Sequence, residues 1–364
     1  MFVAVRLLRL SVLLLTTVCA GCAGVWYTPF RHADSVPIAV SNAPSSVDAA
    51  RAVVAFAYDP VRIAPPTSRL PDVYANYDKF QVDFAPVQIH GAPAMDMTAH
   101  YYRSRTQEAR RLVIVLPIWG SYPYPPRRIT QTLLRSSKGE FDVLHVLGHA
   151  PLFDWEKLRD APTEARFVEL SQQMTGRVAD AVIGIRQLVD WAHANTDLEV
   201  SVVGFSMSAM VAAIAMGVED RIASGVLMMG AGNPGEVFAT CNGKLERVRD
   251  AILERFGWSQ ERYRALFERL FASGDPRNFA GRYDAQNILI IDGMFDGCMS
   301  RQSRAALWEA TGRPERMTFI SNHKWSFISL TPVVLNIAGK KIYRFLSSHP
   351  AHDEGQLLAR ASAQ

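Results

Sequence analysis

Residues 199–216 read Glu-Val-Ser-Val-Val-Gly-Phe-Ser-Met-Ser-Ala-Met-Val-Ala-Ala-Ile-Ala-Met. The β-rich run at 199–203 favours a strand. Residues 209–216 are small and apolar and read as a helix. Between them Gly204-Phe205-Ser206-Met207-Ser208 has to turn the chain within five residues. A tight strand-to-helix turn exposes its central side chain. It also brings backbone and neighbouring side chains close, so the residues two before and two after must be small. Gly204 and Ser208 meet that condition. Ser206 is then the exposed side chain and a candidate nucleophile. A serine hydroxyl is weak at neutral pH, so it needs a base, an acid to orient that base, and donors for an oxyanion.

The sequence around this turn repeats strand and helix. Residues 79–86 and 98–104 alternate like half-buried strands, and 112–116 is a continuous apolar run that suits a strand buried on both faces. A helix is expected at 129–135, a strand at 141–147 and a long helix at 163–194, where Val178, Val182, Ile185 and Val189 share one face. Further strands are expected at 225–229, 287–291 and 317–320, with a closing helix at 326–346. Strands alternating with helices imply an α/β fold with a mostly parallel, doubly wound sheet. The interval 233–282 has no strand signal. It holds two amphipathic helices, one with Leu245, Val248, Ile252 and Phe256 on a face and stopping at Gly257. The other carries Tyr263, Leu266, Phe267, Leu270 and Phe271 and stops at Gly274. We read it as a small helical cap over the sheet's C-terminal edge, with packing on the side of the body as the alternative.

With these segments in place, the chain over 79–348 resembles the α/β-hydrolase family, although the turn is G-x-S-x-S rather than the commoner G-x-S-x-G. The family's triad comes in the order serine, acid, histidine, each after its own strand. The resemblance implies Asp296 as the acid, in Ile291-Asp292-Gly293-Met294-Phe295-Asp296, with Asp292 at the strand end as its rival. It implies His323, in the loop after 317–320, as the base. One oxyanion donor would be the backbone N–H of Met207. The other would come from the loop Pro117-Ile118-Trp119-Gly120-Ser121, at Trp119 or Ser121. The reaction implied is hydrolysis of an ester or related acyl bond through an acyl-enzyme, with no metal or organic cofactor. An acyltransferase using the same residues and a non-catalytic lipoprotein scaffold are the other readings. An aromatic cap suits a hydrophobic acyl or alkyl group.

The 364 residues are 49% hydrophobic and 20% charged, with a net charge of +4. No basic stripe or long like-charge run is present, which argues against nucleic acid as a partner. The N-terminus is distinct. Arg6 and Arg9 precede an apolar run at 10–20 that is short for a membrane span, and small residues then lead to Cys22. This is the layout of a signal peptide over 1–21. The stretch Cys19-Ala20-Gly21-Cys22 resembles a bacterial lipobox with Cys19 in place of the usual leucine. That implies lipidation at Cys22 and a lipid anchor to an envelope membrane; plain cleavage and an uncleaved anchor are the alternatives. Residues 22–78 read as an N-terminal extension with a helical patch at 46–58, and 349–364 as a tail. Export permits a disulfide. Cys241 and Cys298 are nevertheless expected as buried free thiols, with a bridge at the cap base as the alternative. His149 suits surface packing as well as a pocket wall. Arg127 and Arg128 are expected at a solvated helix start, and Trp119, Trp258 and Trp325 more in a core than around a ligand.

Overall fold

The computed structural model describes residues 55–58, 68–71, 73–84, 97–106, 109–119, 124–148, 151–323, 326 and 337–348. The signal segment, Cys22, most of the extension, the tail, Ser121, His149 and Trp325 lie outside the described residues. So do residues 327–336 of the expected closing helix. No described helix is long and apolar enough to cross a membrane.

Among the described residues nine strands form one sheet: β1 (Ser68–Leu70), β2 (Tyr77–Phe84), β3 (Met97–Ser104), β4 (Arg111–Val115), β5 (Phe141–Leu147), β6 (Glu199–Phe205), β7 (Ile222–Met228), β8 (Ile288–Gly293) and β9 (Glu315–Phe319). Their spatial order is β1-β2-β3-β5-β4-β6-β7-β8-β9. The pairs from β1 to β3, and β3 with β5, are antiparallel, whereas every pair from β5 through β9 is parallel. The chain leaves β4 to one side for β5 and returns to its other side for β6. Strand order therefore reverses between β4 and β6, and a crevice opens there at the carboxyl ends of the parallel strands.

Nine described helices accompany the sheet: α1 (Tyr124–Ser137), α2 (Trp155–Arg159), α3 (Glu164–Asn195), α4 (Met207–Val218), α5 (Pro234–Thr240), α6 (Lys244–Phe256), α7 (Gln260–Leu270), α8 (Arg301–Ala310) and α9 (Ile337–Ser348). The sheet is buried on both faces because its central strands are apolar throughout. On β4, Leu112 and Ile114 join the core with α3 and α4, while Val113 and Val115 join the core with Ile129 and Leu133 of α1 and Ile342 and Phe345 of α9.

The interval between β7 and β8 holds three helices, one more than expected, and two 3-10 turns at Pro276–Phe279 and Ala285–Asn287. The extra helix is α5. It starts at Asn233, whose side chain accepts the Glu236 N–H at 3.3 Å, with Pro234 in the first turn. Phe238 of α5 stacks on Phe267 of α7 with ring centroids 4.1 Å apart. Phe167 of α3 packs against Tyr263 and Phe267. Trp258 is in the same aromatic core, as the sequence suggested. The thiols are not free: Cys241 and Cys298 form a disulfide. Arg127 is exposed as expected, but Arg128 is only 7% exposed and donates to Gln131 at 2.9 Å. Its place on the inward side of α1 overrides the expectation of a solvated helix start.

Candidate active site

Ser206 follows β6 directly and serves as the N-cap of α4, with φ 53° and ψ −117°. That backbone region is sparsely populated for any residue with a Cβ and costs on the order of 1–3 kcal/mol. Backbone bonds hold it: the Ser206 N–H donates to the Met228 carbonyl at 2.8 Å, and the Ser206 carbonyl accepts from Ala209 at 3.0 Å and Met210 at 3.4 Å. The turn is tight enough that a Cβ on Gly204 would lie 2.4 Å from the Ser208 carbonyl oxygen. Glycine is needed at that point. Ser208 does more than stay small. Its hydroxyl accepts the Phe205 N–H at 2.8 Å and donates to the Phe205 carbonyl at 3.0 Å, both groups being buried.

The ends of β8 and β9 bring two further side chains to Ser206. The hydroxyl of Ser206 lies 3.0 Å from His323 Nε2, and His323 Nδ1 lies 2.7 Å from Asp296 Oδ2. A carboxylate beside Nδ1 favours the tautomer with the proton there, which leaves the Nε2 lone pair facing the Ser206 hydroxyl. Asp296 Oδ1 accepts two backbone N–H groups, from Cys298 and Met299, each at 2.8 Å. Both carboxylate oxygens are therefore partnered, and the side chain is fully buried. Asp292, the rival, lies elsewhere. It is 1% exposed, its Oδ2 accepts from Arg316 Nε at 2.9 Å, and Arg304 is 3.7 Å away. It forms a buried ion cluster with Arg316 and Arg304, whereas the carboxylate hydrogen-bonded to His323 is that of Asp296.

No family model and no curated protein matches the sequence. Solved structures match it in three dimensions. Acetyl xylan esterase 1 from Thermoanaerobacterium sp. aligns with a TM-score of 0.58 and 15% identity, over 84% of this chain and 95% of its own. An acetyl xylan esterase from Paenibacillus sp. aligns with a TM-score of 0.60 and 12% identity, over 84% and 94%. The chain has the α/β-hydrolase fold.

Within this α/β-hydrolase fold, Met207 is the first residue of α4. Its N–H is one of those that a helix start leaves without an intrahelical acceptor. Trp119 follows β4 and is 8% exposed. Beside Ser206 is a small apolar pocket walled by Met210, Ala231, Pro234, Val237, Phe238 and Met299. As bounded by the described residues, its free volume is about 10 Å³, close to one water-sized sphere. Three of those six residues belong to α5, which the sequence reading missed. The Asn-Pro pair at 233–234 was the available signal. Among the described residues no group of three or more His, Cys, Asp or Glu side chains could hold a metal ion.

Proposed function

We propose that this α/β-hydrolase fold is a serine hydrolase that cleaves a carboxylic ester. One observation carries the reading: Ser206, His323 and Asp296 form a continuous hydrogen-bonded row, 3.0 Å and 2.7 Å, at a strained strand-to-helix turn. In the forward step His323 Nε2 takes the Ser206 proton as Oγ attacks the acyl carbon. Asp296 holds the ring and stabilises the imidazolium. The oxyanion is met by the Met207 N–H and by a second N–H, from Trp119 or Ser121, after β4. His323 then protonates the leaving alcohol. Water, activated by the same histidine, attacks the acyl-enzyme and releases the acid.

The apolar pocket favours a small hydrophobic acyl group, and α5 with its neighbours α6 and α7 acts as the cap over it. The two fold relatives are named acetyl xylan esterases, and a short acyl group is in keeping with the narrowness of that pocket. The signal-peptide-like layout of residues 1–21 and the lipobox-like stretch ending at Cys22 support a lipid-anchored enzyme of the cell envelope, which a mass spectrum of the mature N-terminus tests.

A fluorophosphonate probe should label Ser206 in the folded protein, and Ser206→Ala should abolish both labelling and turnover of short-chain aryl esters. A folded wild-type chain that takes no label at Ser206 would sink the proposal.

A further inference from the structure

The Cys241–Cys298 bond joins two segments that reach Ser206 from different directions. Cys241 is the C-cap of α5, the helix that walls the pocket with Pro234, Val237 and Phe238. Cys298 lies two residues past Asp296, and its N–H is one of the two that hold Asp296 Oδ1. A second link runs beside the bond: the Asn242 N–H donates to the Gly297 carbonyl at 3.1 Å. On the other side Arg304 donates to the carbonyls of Gly293 at 2.7 Å, Met294 at 3.3 Å and Met299 at 3.1 Å. The loop tip has little side-chain packing, Phe295 being 65% exposed, and its backbone is held by Met294 and Phe295 N–H groups that donate to the Phe319 and Ser321 carbonyls at 2.7 and 3.0 Å. Tethers at its two sides therefore fix where the Asp296 carboxylate sits, and one of them is covalent.

We infer that the Cys241–Cys298 bond is a redox-sensitive positioning device for Asp296, so that cleaving it lowers turnover. The inference rests on the roles proposed above for Ser206, His323 and Asp296. A dithiol cleaves the bond by thiolate attack and exchange through a mixed disulfide. The sulfur–sulfur bond takes up two electrons and two protons to give two cysteine thiols, and the dithiol leaves as a cyclic disulfide. Attack falls on Cys298, which is half-buried, while Cys241 is 3% exposed.

The test uses the whole chain, with and without dithiothreitol under native conditions, free thiols being counted by mass after alkylation. Turnover of a short-chain 4-nitrophenyl ester is followed together with far-UV circular dichroism. Reduction should lower kcat by about 10²-fold, the scale of an ångström-sized misplacement, with little change in KM. Reoxidation should restore it. The paired variant Cys241→Ser with Cys298→Ser should show the same loss without reductant. Asp296→Asn already lacks the positioned carboxylate, so reduction should change its residual rate little. Unchanged kcat in fully reduced protein overturns the inference. So does an equal fold-loss in wild type and Asp296→Asn, or loss of secondary structure on reduction; either assigns the bond to general stability. An oxidised protein that neither labels at Ser206 nor hydrolyses the ester overturns the hydrolase reading itself, and this inference with it.

Discussion

Ser208 stands where bare smallness would clear the turn, and it adds a hydroxyl that closes on the backbone of Phe205. Removing that hydroxyl leaves a buried N–H without its acceptor. Ser208→Ala should therefore cost about 1–3 kcal/mol, seen as a lower urea midpoint with an unchanged slope. The two aspartates separate cleanly at this scale. Asp296→Asn should lower kcat by about 10⁴-fold through loss of the oriented histidine while the fold persists. Asp292→Asn should do the reverse. It strips Arg304, itself 7% exposed, of its buried counter-charge and should cost about 3–5 kcal/mol, while each folded molecule still turns over near the wild-type rate. Ser206 and His323 were legible because the turn and the late strand constrain their spacing. The family resemblance pointed to Asp296, but local pattern alone did not set it apart from Asp292. Both follow the same apolar run, and what separates them is Arg316 on the adjacent strand, a neighbour set by sheet register.

Among the elements, the β3–β5 pair places His100 directly opposite His145. His145 is 9% exposed. Burial first, and then the charges of His100, Lys79 and Arg127, push its pKa down to about 4. An unfolded histidine titrates near 6.5, so between about pH 6.5 and 4 the unfolded chain binds the extra proton. Stability is thus complete above that window and falls as pH drops through it, by up to about 3 kcal/mol. His145→Gln should flatten this loss, which urea midpoints at pH 7.5 and pH 5 would reveal by a smaller difference than in wild type. The helices that could be read were α3, α6 and α7 from their period, α1 and α4 from apolar runs beside a strand or turn, and the end of α9. Helix α5 spans seven residues, too few for a period to show, although its capping residues were visible. Helix α8 has Ser300 as its cap, accepting the Ser303 N–H at 3.1 Å, but its apolar stripe is mostly alanine. The pocket wall was hidden because Pro234, Val237 and Phe238 lie on the short α5.

On the scale of the whole molecule, alternating strand and helix signals were enough for the α/β class. The order of the strands and the antiparallel side at β1 to β3 depend on pairings between distant segments, which local patterns do not encode. Helix α9 closes the face opposite α3 and α4, with Ile342, Phe345 and Leu346 at most 3% exposed. Phe345→Ala should cost about 3–5 kcal/mol, read as a shifted unfolding midpoint. The disulfide was not legible either, since its two cysteines lie 57 residues apart and thiol spacing alone names no partner. Once formed, that bond changes how the chain can be moved. Pulled from its N-terminus, the unfolded polypeptide runs as a single thread only as far as Cys241; pulled from its C-terminus, only as far as Cys298. There a closed ring arrives, and a channel must admit more than one strand abreast. Any machinery that passes this chain unfolded through a narrow pore has to act before the ring is sealed or after it is opened.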